Sequence, residues 1–303
     1  LGKFSKNVFL LLKQSATGWI EDRAMSMAAA IAYYTLFSIA PVMIIAIALA
    51  GMIFGKDASS HAIYGALRDF LGDSGSLTVE NMVQTASQAG GKNAFAVTVG
   101  TIVILVGATG VFNELQSSLN LIWKVKLDEG GTVKTLIRQR LLTFAMVVSI
   151  GFLLLVSLVA SAGLAAAGKF LTSALPGGAG LWQFINFAFS LGVVTVLFGL
   201  IFKILPDVSL HWKDVILGAF VTALLFAVGK LGVGFYLGKS AVTSSFGAAG
   251  SLVIVLLWVF YSSCLVLFGA EFTRAYALMY HPERMQDIKG AKGIDKAPPA
   301  QTV

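Results

Sequence analysis

Hydrophobic positions in this chain come mostly in long unbroken blocks, not in alternation or along one helical stripe. The first block, Ala28–Gly55, contains no charged residue. It exceeds the ~20 apolar residues that carry a helix across a bilayer. Five more follow: Ala94–Phe112, Leu141–Gly168, Leu181–Leu205, Val215–Leu237 and Gly250–Phe268. A helix apolar all round is a buried one, and at these lengths it reads as a membrane span. The pattern predicts an all-α polytopic membrane protein, with six transmembrane helices in a membrane domain over residues 24–284.

Two polar stretches keep a helical period. In residues 1–23, Phe4, Val8, Leu11 and Leu12 share one face, away from Lys3, Lys6 and Lys13. That predicts a cytoplasmic interfacial helix on an anionic membrane surface. In residues 56–92, Ile63 and Leu67, then Val79 and Val83, recur at helical spacing on either side of Gly72, Gly75 and Ser76. This predicts a small extracytoplasmic helical cap between helices 1 and 2, folded as a hairpin. Residues 285–303 are polar, carry Pro298 and Pro299, and are expected to be disordered.

Composition supports the membrane reading. The chain is 57% hydrophobic and 12% charged, with mean hydropathy +0.83, which excludes an ordinary soluble domain. Cys264 is its single cysteine, so there is no internal disulfide. The net charge of +7 records topology better than it suggests nucleic acid. Of 22 Lys and Arg, sixteen fall in the N-terminal segment, the loops after spans two and four, and the tail. The positive-inside rule then puts both termini in the cytoplasm. Gly100 with Gly107, Gly192 with Gly199, and Gly234 with Gly238 are expected to mark helix contacts.

The candidate chemistry is sparse. Tyr33, Tyr34, Thr35 and Ser38 form a hydroxyl cluster in the first span, just before Pro41. A proline there frees the Phe37 carbonyl, so the cluster reads as a tolerated kink or as a hinge and cavity wall. Glu114, Asp207, Glu271, Arg23 and Arg274 fall at the cytoplasmic ends of spans, as helix-end anchors or the rim of a cavity. The midplane has hydroxyls and no acid or base of the kind a proton pump carries. An unpaired carboxylate among packed helices is costly, so Glu271 is expected to pair with Arg23 while Arg274 faces the cavity mouth. A local Glu271–Arg274 pair is the alternative. His61, His211 and His281 lack metal-ligand spacing, and His211 with Asp207 and Asp214 reads as a hydrated loop. With no Walker or dinucleotide motif, no metal, cofactor or nucleotide motor is expected.

The stretches AAAIAYYTLFSIAPVMI at 28–44, NELQSSLNLIWKV at 113–125, LPDVSLHWKDVILGA at 205–219 and SSFGAAGSLVIVLLWVFYSSCLVLFGAEFTRAYA at 244–277 resemble the YihY/BrkB family. The resemblance runs in order along nearly the whole chain. It implies a six-helix protein of the bacterial inner (plasma) membrane with cytoplasmic termini. The family's old label "ribonuclease BN" is regarded as a mis-assignment, and links of some members to serum resistance or envelope lipid traffic lean toward transport. Matching positions add Asn113, Asn120, Trp123, Pro206, Gly247 and Gly250 to the residues of interest. No shared catalytic residue comes with the resemblance.

The expectation is a non-enzymatic, transporter-like protein moving an amphipathic or anionic solute or a lipid, with membrane lipids as partners and no nucleic acid. An oligomer is compatible with it. The rivals are a non-transporting envelope scaffold and, disfavoured for want of a metal or acid–base cluster, a membrane ribonuclease.

Overall fold

A computed structural model describes residues 2–88, 109–125, 178–208, 210–239 and 250–281. The third predicted span, most of the second and the tail lie outside the described residues. Within them the chain is helical, with no strand. The helices are α1 (Gly2–Glu21), α2 (Ala24–Phe54), α3 (Lys56–Gln88), α4 (residues 109–122), α5 (Gly178–Ile204), α6 (Trp212–Lys239) and α7 (Gly250–Tyr280).

Four of them are long and apolar enough to cross a membrane: Ala24–Ala48 in α2, Trp182–Ile204 in α5, Trp212–Lys230 in α6 and Leu252–Tyr280 in α7. These match the first, fourth, fifth and sixth hydrophobic blocks. Helix α2 runs through Pro41 without a break. It ends at Gly55, whose φ of 84° only glycine adopts freely.

Helix α7 is the hub: α1, α2, α3 and α6 all pack on it, and α5 packs chiefly on α6. The main core joins Ala28 and Ile31 of α2, Leu119 and Ile122 of α4, Phe202 of α5, Val215 and Ala219 of α6, and Leu267 of α7. A reciprocal close approach joins α6 and α7. A methyl group at Gly218 would come within 2.9 Å of Thr273 Cβ, and one at Gly269 within 3.0 Å of Thr222 Cβ. Each threonine turns its hydroxyl back to donate to the carbonyl four residues earlier, Thr222 to Gly218 and Thr273 to Gly269, both at 2.7 Å. The hydroxyls are thereby satisfied inside a close glycine contact, the means by which helices associate in lipid. The glycines singled out in the sequence play a smaller part. Gly192 faces open space and Gly199 makes only ordinary contacts, while Gly100 and Gly107 lie outside the described residues.

Helix α3 doubles back on itself. Ser76 Oγ donates to the Tyr64 carbonyl at 3.2 Å, although twelve residues of straight helix would span ~18 Å. Its return arm buries Val79 and Val83 against Ile39, Met43 and Ile47 of α2 and Val255 and Trp258 of α7. The arm therefore lies along the sides of these helices. Helix α1 crosses the last turns of α7, where Leu11 is buried with Phe272 and Ala275.

Candidate functional site

Several helix termini collect at one end of the bundle: the joint between α1 and α2, the end of α4, the α5–α6 loop and the end of α7. Local backbone geometry sets their polar groups. At the end of α4, Val125 N–H bonds to the Asn120 carbonyl at 2.9 Å and Lys124 N–H to the Leu121 carbonyl at 3.0 Å. This is a Schellman closure, with Lys124 at φ 53° in the place where glycine is usual. Arg23, between α1 and α2, is also left-handed at φ 55°. These are the two non-glycine residues with positive φ among those described, and strain of this kind gathers at functional sites.

Between the two strained joints lies a charged quartet. The Lys124 ammonium pairs with Asp22 Oδ1. Arg274 reaches Glu271 Oε2 at 3.7 Å. Glu271 is 2% exposed. It packs so closely on α1 that a methyl group at Gly18 would lie 2.6 Å from Oε2. The expected Glu271–Arg23 pair does not form: Arg23 is exposed at its joint, and Glu271 takes the local Arg274 instead. The reason is geometric. Asp22 sits four residues beyond Gly18, so it shares the face of α1 turned to α7, and Arg23 is rotated away from it.

A second polar group ties α4 to the α5–α6 loop. Asn120 donates to Asp207 Oδ2 at 2.8 Å and accepts from the Asp207 backbone N–H at 2.8 Å. Gln116, one turn earlier, donates to the same Oδ2 at 3.2 Å. Asp214, at the start of α6, pairs with His281 at 3.4 Å. Asp207 and Asp214 thus have different partners among these bonds, Asn120 and Gln116 for the one and His281 for the other. No group of three or more His, Cys, Asp or Glu able to hold a metal occurs among the described residues.

Higher up, a groove of about 300 Å³ opens between α2 and α7, lined by Ala29, Ala32, Tyr33, Leu36, Val253, Leu256, Leu257 and Phe260. Tyr33 is 59% exposed and stacks edge-on against Tyr34 and Phe37. Ser38 is buried on the opposite side of α2, where its Oγ accepts from Val111 N–H at 3.4 Å. The hydroxyl cluster therefore divides: Tyr33 lines the groove, while Tyr34 and Ser38 pack against Gly110. Asn113 and Glu114 are half-buried on α4, and Glu114 makes no ion pair with a described residue.

Of the residues proposed from sequence, Asn120, Asp207, Glu271, Arg274 and Arg23 do gather at one end. The sequence reading left out Gly18, Asp22, Gln116 and Lys124 as site residues. The Gly18–Asp22 and Gln116–Asn120 spacings of four were the available signal.

Comparison with known proteins adds the family. A family model described as virulence factor BrkB matches residues 15–293. A UPF0761 membrane protein of Alcanivorax borkumensis is 26% identical over 268 residues, covering 87% of this chain and 59% of the relative. One from Stenotrophomonas maltophilia is 27% identical over 286 residues, covering 90% and 62%. One from Tolumonas auensis is 30% identical over 184 residues, covering 60% and 58%. The chain thus spans about three fifths of the length of these curated relatives. No solved structure matches. A model match over most of the chain, carried by helices of membrane-spanning length, makes this chain a member of the YihY/BrkB family of membrane proteins.

Proposed function

We propose that the protein is a transporter-like component of the bacterial inner membrane that moves an amphipathic or anionic solute, a phospholipid being the best fit. The observation that carries this reading is the alignment of two features along the α2–α7 seam. The apolar groove begins at Ala29 on α2 and Phe260 on α7. The charged quartet lies seven residues below Ala29, at Asp22, and eleven below Phe260, at Glu271. At 1.5 Å per residue these separations are roughly 10–17 Å, comparable with the ~15 Å depth of one leaflet's hydrocarbon. A chain in the groove can thus set an anionic headgroup beside Lys124 and Arg274. The crossing of α1 over the last turns of α7 supports termini on one side, the cytoplasmic side by the distribution of basic residues. The reading is non-enzymatic and uses no nucleotide motor.

Native mass spectrometry of the detergent-purified protein tests the groove. Retained phospholipid is expected on the parent and on Val228→Trp, which alters an exposed residue of α6. It should be depleted in Ala29→Trp, which fills the groove. Equal lipid on all three proteins would remove the groove from the account and leave the scaffold reading.

A further inference from the structure

We propose that the return arm of α3 makes a hydrated notch in the bilayer half away from the charged quartet, where a phospholipid headgroup meets the upper end of the α2–α7 groove. Depth is the first support. Val79 and Val83 are 0% and 5% exposed, packed with Ile39 of α2 and Trp258 of α7. Ile39 is seventeen residues beyond Asp22, and Trp258 is thirteen before Glu271. At 1.5 Å per residue these points stand ~20–26 Å above the quartet, short of the ~30 Å that the hydrocarbon occupies. Met43 and Ile47, further up α2, carry the same contact across the far boundary.

Register is the second. The lining of the groove on α2 ends at Leu36. Ala40, Met43 and Ile47 follow it at spacings of four, three and four, so they continue the same helix face. That face is the one the arm packs against, which sets the arm directly above the groove. Polarity is the third. The other side of the arm carries Asn81, Gln84 and Thr85, all exposed, with Glu80 half-buried beside them. Thr85 and Ser87 donate to the carbonyls four residues back, Asn81 at 2.8 Å and Val83 at 2.7 Å, as hydroxyls do on helices in lipid. The amides and the carboxylate have no such recourse. Gln84 donates to Glu80 at 3.5 Å, and the remaining donors and acceptors call for water or a headgroup, because polar groups without partners are costly in hydrocarbon.

The notch rests on the phospholipid reading for its use alone. No residue of α3 enters the Ala29→Trp test of the groove, so the two fail separately. In a Cys264→Ala background, which leaves no other cysteine, Asn81→Cys and Gln84→Cys each carry a small fluorophore in lipid nanodiscs. Three quenchers are compared: aqueous iodide, a phospholipid with a nitroxide on its headgroup, and one with a nitroxide on the upper part of its acyl chain. All three should quench both positions. Val228→Cys, at a residue of α6 that is 69% exposed, should be quenched by the chain nitroxide and not by iodide. With the fluorophore on Thr85→Cys instead, adding Asn81→Leu and Gln84→Leu should lower iodide quenching to the level of Val228→Cys. Iodide without chain-nitroxide quenching would put the arm above the bilayer, and the reverse would make it a dry lipid-facing helix. Quenching by iodide and chain nitroxide without the headgroup nitroxide would leave water but no headgroup. Iodide quenching unchanged by the two leucines would mean that the polar face does not hold the water. Each of these results overturns the proposal. Should one labelled position not fold, the other decides.

Discussion

Replacing Gly269 by alanine should lower the melting temperature of the purified protein more than any other single methyl added to α7. The new Cβ would sit 3.0 Å from Thr222 Cβ and 3.1 Å from Phe202 Cζ, and it would collide with Thr222 Oγ1. Overpacking of this kind costs about 1–3 kcal/mol, and each kcal/mol lowers the melting temperature of a chain this size by roughly 2–4 °C. Gly218→Ala should behave alike from the other side, since Thr273 stands against it and its Cα is 3.3 Å away. The discriminating result is rescue. Thr222→Ala in the Gly269→Ala background should recover part of the loss, because it removes the hydroxyl and methyl that the new Cβ meets. The same Thr222→Ala should not help Gly218→Ala. Equal behaviour of Thr222→Ala in both backgrounds, measured by thermal unfolding in detergent, would contradict the reciprocal contact.

Asn120→Leu should be the second costly change. It removes both bonds between Asn120 and Asp207 and leaves the loop carboxylate with Gln116 as its donor from α4. Hydrogen bonds to charged groups contribute about 1.5–3 kcal/mol each, so a fall of at least several degrees is expected. Asn120→Asp should be worse than Asn120→Leu, because it sets a second carboxylate against Asp207. An Asp207→Asn partner should then restore a neutral donor and relieve it. If Asn120→Leu melts with the parent, the α4–loop clamp contributes nothing to stability.

These two contacts show what the sequence made legible and what it did not. The spans of α2, α5, α6 and α7 could be read directly, because apolar blocks of 19–29 residues with so few charges have few other solutions. The doubling back of α3 was readable from Gly72, Gly75 and Ser76 between two periodic runs. The gathering of charge at one end followed from span lengths alone. Pairing did not, because it depends on how helices are rotated about their axes, and hydrophobic blocks apolar all round carry no rotational signal. That is why Glu271 was assigned to Arg23 when it pairs with Arg274 and packs on Gly18. It is also why the glycines seven apart drew notice ahead of Gly218 and Gly269, whose partners are threonines on the facing helix. The hydroxyl cluster of α2 was found as a unit in sequence, yet helical geometry sends Tyr33 and Ser38 to different sides.

The central claim is that the α2–α7 seam is a path for an amphipathic anion. Reconstitution into liposomes carrying a fluorescent anionic phospholipid, with loss of outer-leaflet fluorescence followed after adding a membrane-impermeant quencher, tests it most directly. The account predicts that the parent moves the probe between leaflets faster than empty liposomes, and that Ala29→Trp, folded and inserted to the same level, abolishes the gain. Movement at the same rate through the parent and Ala29→Trp, or none above empty liposomes for either, would contradict it.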